Sequence, residues 1–236
     1  MPALSSAVIE EFRAAFSEID LLKFGIAPGQ KAERGFATTK AILGYIGKKL
    51  KPCAGFKDRY GWQDLYMQEY PEIGKRLMAN CDIPDLDLLP PKYNIKKIMF
   101  SAGMENKAVH LGIWLFSWLV RIGIPLNLSK YSKQLLKLSN VFDAFGSSDG
   151  GMHIIIKGKD KSFLPLTIKW FILAFDGDGP FIPTIPSVIL AKRFADAKIG
   201  DAGAFACVGM ISLKDYWNEL KDFKVKTFVN FEPKTP

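Results

Sequence analysis

GGMHIIIKGKDKSFLPLTIKWFILAF, residues 150–175, decides the class of fold. Two runs, 150–160 and 164–175, are apolar or alternating and rich in β-branched and aromatic residues, and they flank a lysine-rich turn. That pattern predicts an antiparallel hairpin. Downstream, IPSVILAKRFADAKIG (185–200) and LKDYWNELKDF (213–223) predict helices, and VKTFVNF (225–231) a last strand. Upstream, LSKYSKQLLKLSNVFDAF (128–145) predicts an amphipathic helix with Leu135, Leu138 and Phe142 on one face. IDLLKFGIA (19–27), GKRLMANCD (74–82) and IKKIMFSAG (95–103) predict strands. SSAVIEEFRAAF predicts a helix from about Ser6 to Phe16, and ATTKAILGYIGKKL (37–50) another. Strands and helices do not alternate strictly. The fold class is therefore α+β, a mixed, largely antiparallel sheet covered by helices. No linker, repeat or low-complexity tract divides residues 1–236, which read as one domain.

Composition narrows the function. The chain carries 32 basic and 24 acidic residues, a formal net charge of +8. Its lysines are scattered, without the arginine clusters or aromatic–basic ladders of a nucleic-acid groove, so no nucleic-acid partner is expected. Cys53, Cys81 and Cys207 lie far apart and only two histidines are present, which lacks the ligand pairs of a zinc site. Sparse, odd cysteines argue for a reducing cytoplasm, and MPALSSAVIEEF lacks the pattern of a signal peptide.

Four stretches bear on chemistry. Val109 to Leu128 is the most apolar, with Trp114 and Trp118 one turn apart, but Arg121 and Pro125 interrupt it. It reads as a helix buried in the core or against a partner chain, with peripheral membrane contact as the alternative. FDGDGPFIPTIP (175–186) offers Gly177 and Gly179, yet Pro180 removes a backbone donor, and the stretch reads as a rigid turn. AFGSSDGGMHI (144–154) reads as a helix stop, with Gly146 able to take a left-handed cap. His110 and His153 read as structural. In MANCDIPDLDLLPPKY (78–93), Asp82 or Asp85 suits an N-cap, Pro84 the first turn, and Pro90 with Pro91 the stop. Nowhere does G-x-G-x-x-G or G-x-x-x-x-G-K-[ST] occur.

PALSSAV, IAPGQ, RGFATTKAILGYIGK, YGWQDL, ANCDIPDLDLLP, GSSDGGM, GPFIPTIP and GAFACVGMISL follow one another along the chain. In order and spacing this series resembles bacterial saccharopine dehydrogenase-like proteins, from about Pro2 to Thr227, with NCDIPDL and GPFIP the most specific. The resemblance implies an N-terminal Rossmann domain for NAD(P), followed by a second domain that shapes the substrate site and mediates dimerisation. This sequence looks like that second domain alone, the Rossmann domain being absent from it. The resemblance then implies NAD(P) for the full-length protein and none bound by this chain, a homodimer, an amino-acid-like small-molecule substrate and a role in lysine metabolism.

On that reading Asn80, Asp82 and Asp85 hold the ammonium groups of the substrate at a strand's end. Arg76 or Arg121 balances charge, and Trp62 and Glu105 complete the wall. The other reading is a non-enzymatic module that uses the apolar 109–128 helix to bind a protein or a membrane surface.

Overall fold

Phe16, Ile19, Leu22 and Phe24 all face the core from one strand, at spacings of three, three and two. Alternation alone cannot do that. In the computed structural model the strand, β1 (Phe16–Ala27), shifts register against its antiparallel neighbour between Phe16 and Glu18 and again between Ile19 and Leu21. Each irregularity turns the following side chains to the other face, so the odd spacings return to the core.

The structure describes residues 2–198 and 203–233. After α1 (Pro2–Arg13) and β1 come α2 (Phe36–Gly44), β2 (Tyr66–Tyr70), β3 (Gly74–Asn80), α3 (Asp85–Tyr93) and β4 (Ile95–Met104). Then follow α4 (Lys107–Arg121), α5 (Ser132–Val141), β5 (Gly150–Asp160), β6 (Pro165–Ala174), α6 (Ile185–Ala195), α7 (Leu213–Leu220) and β7 (Val225–Pro233). The seven strands form one sheet in the order β2-β3-β4-β1-β5-β6-β7. Only β1 and β4 run parallel; every other pairing is antiparallel. The α+β class and the 150–175 hairpin are as the sequence predicts.

Helices cover one face. Val8 and Ile9 of α1, Leu86 and Leu89 of α3, Ile185 and Ile189 of α6, and Leu213, Tyr216 and Leu220 of α7 close over Leu22, Phe24, Ile98, Ile154, Ile168 and Trp170. Burying such side chains contributes about 1.5–3 kcal/mol each before chain entropy is set against it. The other face is covered in part by the sheet itself. It curls until the β2–β3 hairpin reaches β5, β6 and β7, giving a second small core of Ala27, Tyr70, Met78, Phe171 and Leu173. Lys226 of β7 bonds Glu72 in the hairpin turn. The curl needs glycine beneath the hairpin. A Cβ at Gly25 would lie 2.5 Å from the Ser101 carbonyl oxygen and 2.8 Å from His153, and one at Gly151 would lie 3.0 Å from the Tyr70 ring.

Several boundaries differ from the sequence reading. α1 ends at Arg13, because Phe16 is the first core residue of β1. The cap of α3 is Pro84, with no side-chain hydrogen bond, and neither Asp82 nor Asp85 caps it. Pro90 and Pro91 lie inside α3 rather than stopping it; the stop is Asn94, left-handed, whose N–H returns to the Pro90 carbonyl. A short helix loses only two donors to the prolines, and packing of Leu86, Leu89 and Tyr93 outweighs them. Gly146 is extended, not left-handed. The predicted 185–200 helix ends at Ala195, and its last two predicted residues lie outside the described ones.

The largest difference is α4. Its buried side chains are His110 and Ser117, while Leu111, Leu115, Phe116 and Trp118 are exposed. It is not a core helix within this chain. Among the described residues no helix is long and apolar enough to cross a membrane.

Candidate functional site

The residues singled out from sequence divide among separate environments. Asp85 lies apart from the others. It is wholly buried, its carboxylate accepts from the Ser5 hydroxyl of α1, and burial raises its pKa above the ordinary carboxylate value. Asp82 is half-buried beside Cys81. Trp62 is buried in the main core, edge-on to His110 at 5.4 Å.

Trp62, Asn80 and Arg121 do meet, through residues 62–64. Trp62 N–H donates to the Asn80 carbonyl (2.8 Å), Asn80 N–H to the Gln63 carbonyl (2.9 Å), and Arg121 donates to the Gln63 side chain. This reciprocal pairing holds Trp62 and Asp64 at φ of 64° and 56°, where side-chain-bearing residues are strained. Asn80 in turn donates to the Asp64 carboxylate, which stays exposed.

Glu105 follows β4 directly, at the carboxyl edge of the parallel β1–β4 pair, and acts as a clasp. Its carboxylate accepts from Gln30 N–H (2.7 Å), Ser147 N–H (2.9 Å) and the Ser147 hydroxyl (2.9 Å), and faces Arg76 at 3.4 Å. Burial pushes its pKa up, but those amides, the hydroxyl and Arg76 together hold it below the ordinary value. Every acceptor site is in use, so Glu105 joins the loops after β1 and before β5 rather than facing a ligand.

Sequence reasoning missed the most suggestive group. Cross-strand register puts Asn80, Ser101, Gly25 and His153 in one row, and Lys23 beside it opposite Met99 and Ile155. His153 is fully buried, and burial, with Lys23 nearby, lowers its pKa to about 3, so the ring is neutral. Its Nδ1 lies 2.8 Å from the Tyr70 hydroxyl and its Nε2 3.4 Å from that of Tyr66. With the proton on Nε2, Tyr70 donates to the ring and the ring reaches toward Tyr66. Over Tyr66 sits the Lys23 ammonium, 3.2 Å from the ring centre. Burial, then Lys157, lowers the Lys23 pKa to about 8. Among the described residues neither Lys23 nor Asp64 has an oppositely charged side chain within ion-pair distance. A cation and an anion therefore stand unpaired, Lys23 over the Tyr66 ring and Asp64, two residues before Tyr66, bonded to Asn80. The signal for Lys23 was a lone lysine inside an apolar strand, Leu22-Lys23-Phe24. Nothing local marked Tyr66, which arrives only through the curl.

The glycine loops do not fit a dinucleotide. A Cβ at Gly146 would run into Gln30 and lie 3.0 Å from the Glu105 carboxylate, and a phosphate there would face that negative charge. At the other loop Asp178 accepts from Lys224 N–H and Asp176 pairs with the Lys224 ammonium. Among the described residues no group of three or more His, Cys, Asp or Glu side chains could hold a metal ion. Two shallow surface depressions, near 410 Å³ by Phe36 and Lys133 and 440 Å³ by Arg13 and Tyr93, lie apart from Lys23 and Asp64.

The curled seven-stranded mixed sheet with helices on one face is a saccharopine dehydrogenase-like fold. One solved structure that carries this likeness is apo histidine-tagged saccharopine dehydrogenase (L-Glu forming) from Saccharomyces cerevisiae, with a TM-score of 0.56 and 10% sequence identity. The match covers 97% of this chain and 71% of that one. No family model matches the sequence, and no curated protein matches it significantly.

Proposed function

We propose that this chain is the substrate-binding and dimerisation domain of a saccharopine dehydrogenase-like, NAD(P)-dependent oxidoreductase acting on an amino-acid-like substrate. Support for the class comes from the fold. The observation that carries the substrate is the unpaired cation and anion, Lys23 over Tyr66 and Asp64 beside Asn80. An α-amino acid presents the complementary charges, a carboxylate for the ammonium and an ammonium for the carboxylate. Lys23, its pKa lowered by burial to about 8 yet still mostly protonated at pH 7, is already partly desolvated and gives up little hydration when it meets that carboxylate. Tyr66 and Asn80 orient the two charged groups, while the neutral His153 fixes the Tyr66 ring. The nicotinamide belongs to a nucleotide-binding unit outside this fold, so the chain alone has no turnover. A second copy would dock along the free edge of β7, where Val229 and Phe231 are exposed.

Calorimetry on the purified chain tests this. L-Glutamate and L-lysine should bind weakly, and Lys23→Met and Asp64→Asn should each weaken binding about tenfold. NADPH should not bind, and sedimentation should give a dimer. Tight NADPH binding, NADPH-dependent turnover by this chain, or amino-acid binding unchanged in both variants would overturn the proposal.

A further inference from the structure

α4 is inverted with respect to the domain it belongs to. Its two fully buried side chains, His110 and Ser117, are polar and lie two turns apart. Leu111, Leu115, Trp118 and Ile122 follow at intervals of four, three and four, one stripe along the helix, and they are 39–70% exposed. A helix docked for its own chain's stability turns that stripe inward. Here it faces out, and the loop beyond continues it with Ile124. Half of the twenty exposed large apolar side chains of the described residues fall between 111 and 145, so exposed apolar surface is concentrated in this stretch of chain.

The charges along the same stretch of chain select what covers it. Residues 106–146 hold five basic side chains, Lys107, Arg121, Lys130, Lys133 and Lys137, and one acid, Asp143. That acid is already paired with Arg34. The segment therefore combines an apolar stripe with uncompensated positive charge. A second copy meeting this face across a two-fold axis would bring like charges together. An anionic lipid surface is complementary on both counts. Its headgroups take the lysines, its acyl boundary takes Leu111, Leu115 and Ile122, and Trp118 suits the boundary between them.

We infer that the outward face of α4 docks this domain peripherally on an anionic membrane surface. The helix lies in the interface plane and does not cross it; it spans Lys107–Arg121, too short for a crossing. The inference stands on α4 and the basic residues that follow it in sequence, and is independent of the Lys23 site.

Co-sedimentation of the full chain with vesicles tests it. Vesicles containing phosphatidylserine should carry the protein down, pure phosphatidylcholine vesicles should not, and high salt should release it. Leu115→Glu with Trp118→Glu should weaken binding by at least about tenfold. Because both side chains are exposed, that variant should keep the circular dichroism and unfolding midpoint of the parent. A second variant, Lys130→Glu with Lys133→Glu, should lose binding at low salt without touching the stripe. Failure to bind phosphatidylserine vesicles, or binding by both variants equal to the parent's, overturns the inference. So does a dimer in free solution that the Leu115→Glu, Trp118→Glu variant dissociates, which would assign the face to a second copy.

Discussion

Glu105 and Asp85 show how little the identity of a carboxylate says about its work. Both were legible from sequence as acids near strand or helix ends, and both suited a substrate wall. Glu105 instead accepts three hydrogen bonds and faces Arg76, itself largely buried. Glu105→Gln replaces one acceptor oxygen with a donor aimed at donors and leaves the guanidinium without its counter-charge. A loss of about 2–4 kcal/mol is expected in urea unfolding at neutral pH. A loss under 1 kcal/mol would mean that the clasp is not holding the loops at Gln30 and Ser147. Asp85 was legible as a helix-start residue, but its Ser5 partner is eighty positions away, and no local pattern encodes that contact. Lys23 was visible as an oddity and not as a site, since its meaning depends on Tyr66 arriving from another strand. Local chemistry reads out of sequence; the partner across the fold does not.

At the scale of elements, most strands and helices were legible because their apolar periodicity matches what the core demands, while β2 was not. β5 and β6 alternate or run apolar as a sheet buried on its helical face requires, and α7 falls within the predicted 213–223 helix, opened in the structure by Ser212 and Asp215. Those two residues form a capping box, so Ser212→Ala should cost about 1 kcal/mol in unfolding free energy. α4 misled for a physical reason: apolar composition reports that a helix must be covered, and not whether its own chain covers it. The curl of the sheet was illegible too, since it depends on glycines whose role appears only once the hairpin lies over them. Gly25 is the sharpest case. Gly25→Ala puts a methyl group 2.5 Å from the Ser101 carbonyl, in backbone that cannot rotate away. It should destabilise by about 2–3 kcal/mol and displace the Tyr66–His153–Tyr70 line, seen as a larger spread of tyrosine fluorescence lifetimes. A stable Gly25→Ala protein would mean that the hairpin rides higher over the sheet.

For the whole molecule, the balance of buried ionisable groups sets how stability follows pH. His110 and His153 are both fully buried, and burial is the first cause that lowers their pKa values, to about 4 and about 3. The unfolded chain binds those protons near pH 6.5, so between there and about pH 4 the unfolded state holds more protons than the folded one. Stability is fully present above pH 6.5 and is lost as pH falls through that window, at up to about 1.4 kcal/mol per unit per histidine. The clasped Glu105, whose pKa is lowered, adds its own loss only below its unfolded value of 4.5. Asp85 has the opposite sign: its raised pKa means that acidification from neutrality favours the fold, which offsets part of the decline. Since neither ring nitrogen of His110 has a hydrogen-bond partner, His110→Phe removes a titrating group without breaking a bond. That variant should match the parent at pH 7.5 and exceed it at pH 5. His153→Gln should be weaker at every pH, because Tyr70 loses a well-placed acceptor, yet its stability should fall less steeply. Urea midpoints for the three proteins at pH 7.5, 6 and 5 decide the matter. A parent curve flat from 7.5 to 5 would show that the histidines protonate in place, and that the two polar groups under α4 and under the hairpin are open to water.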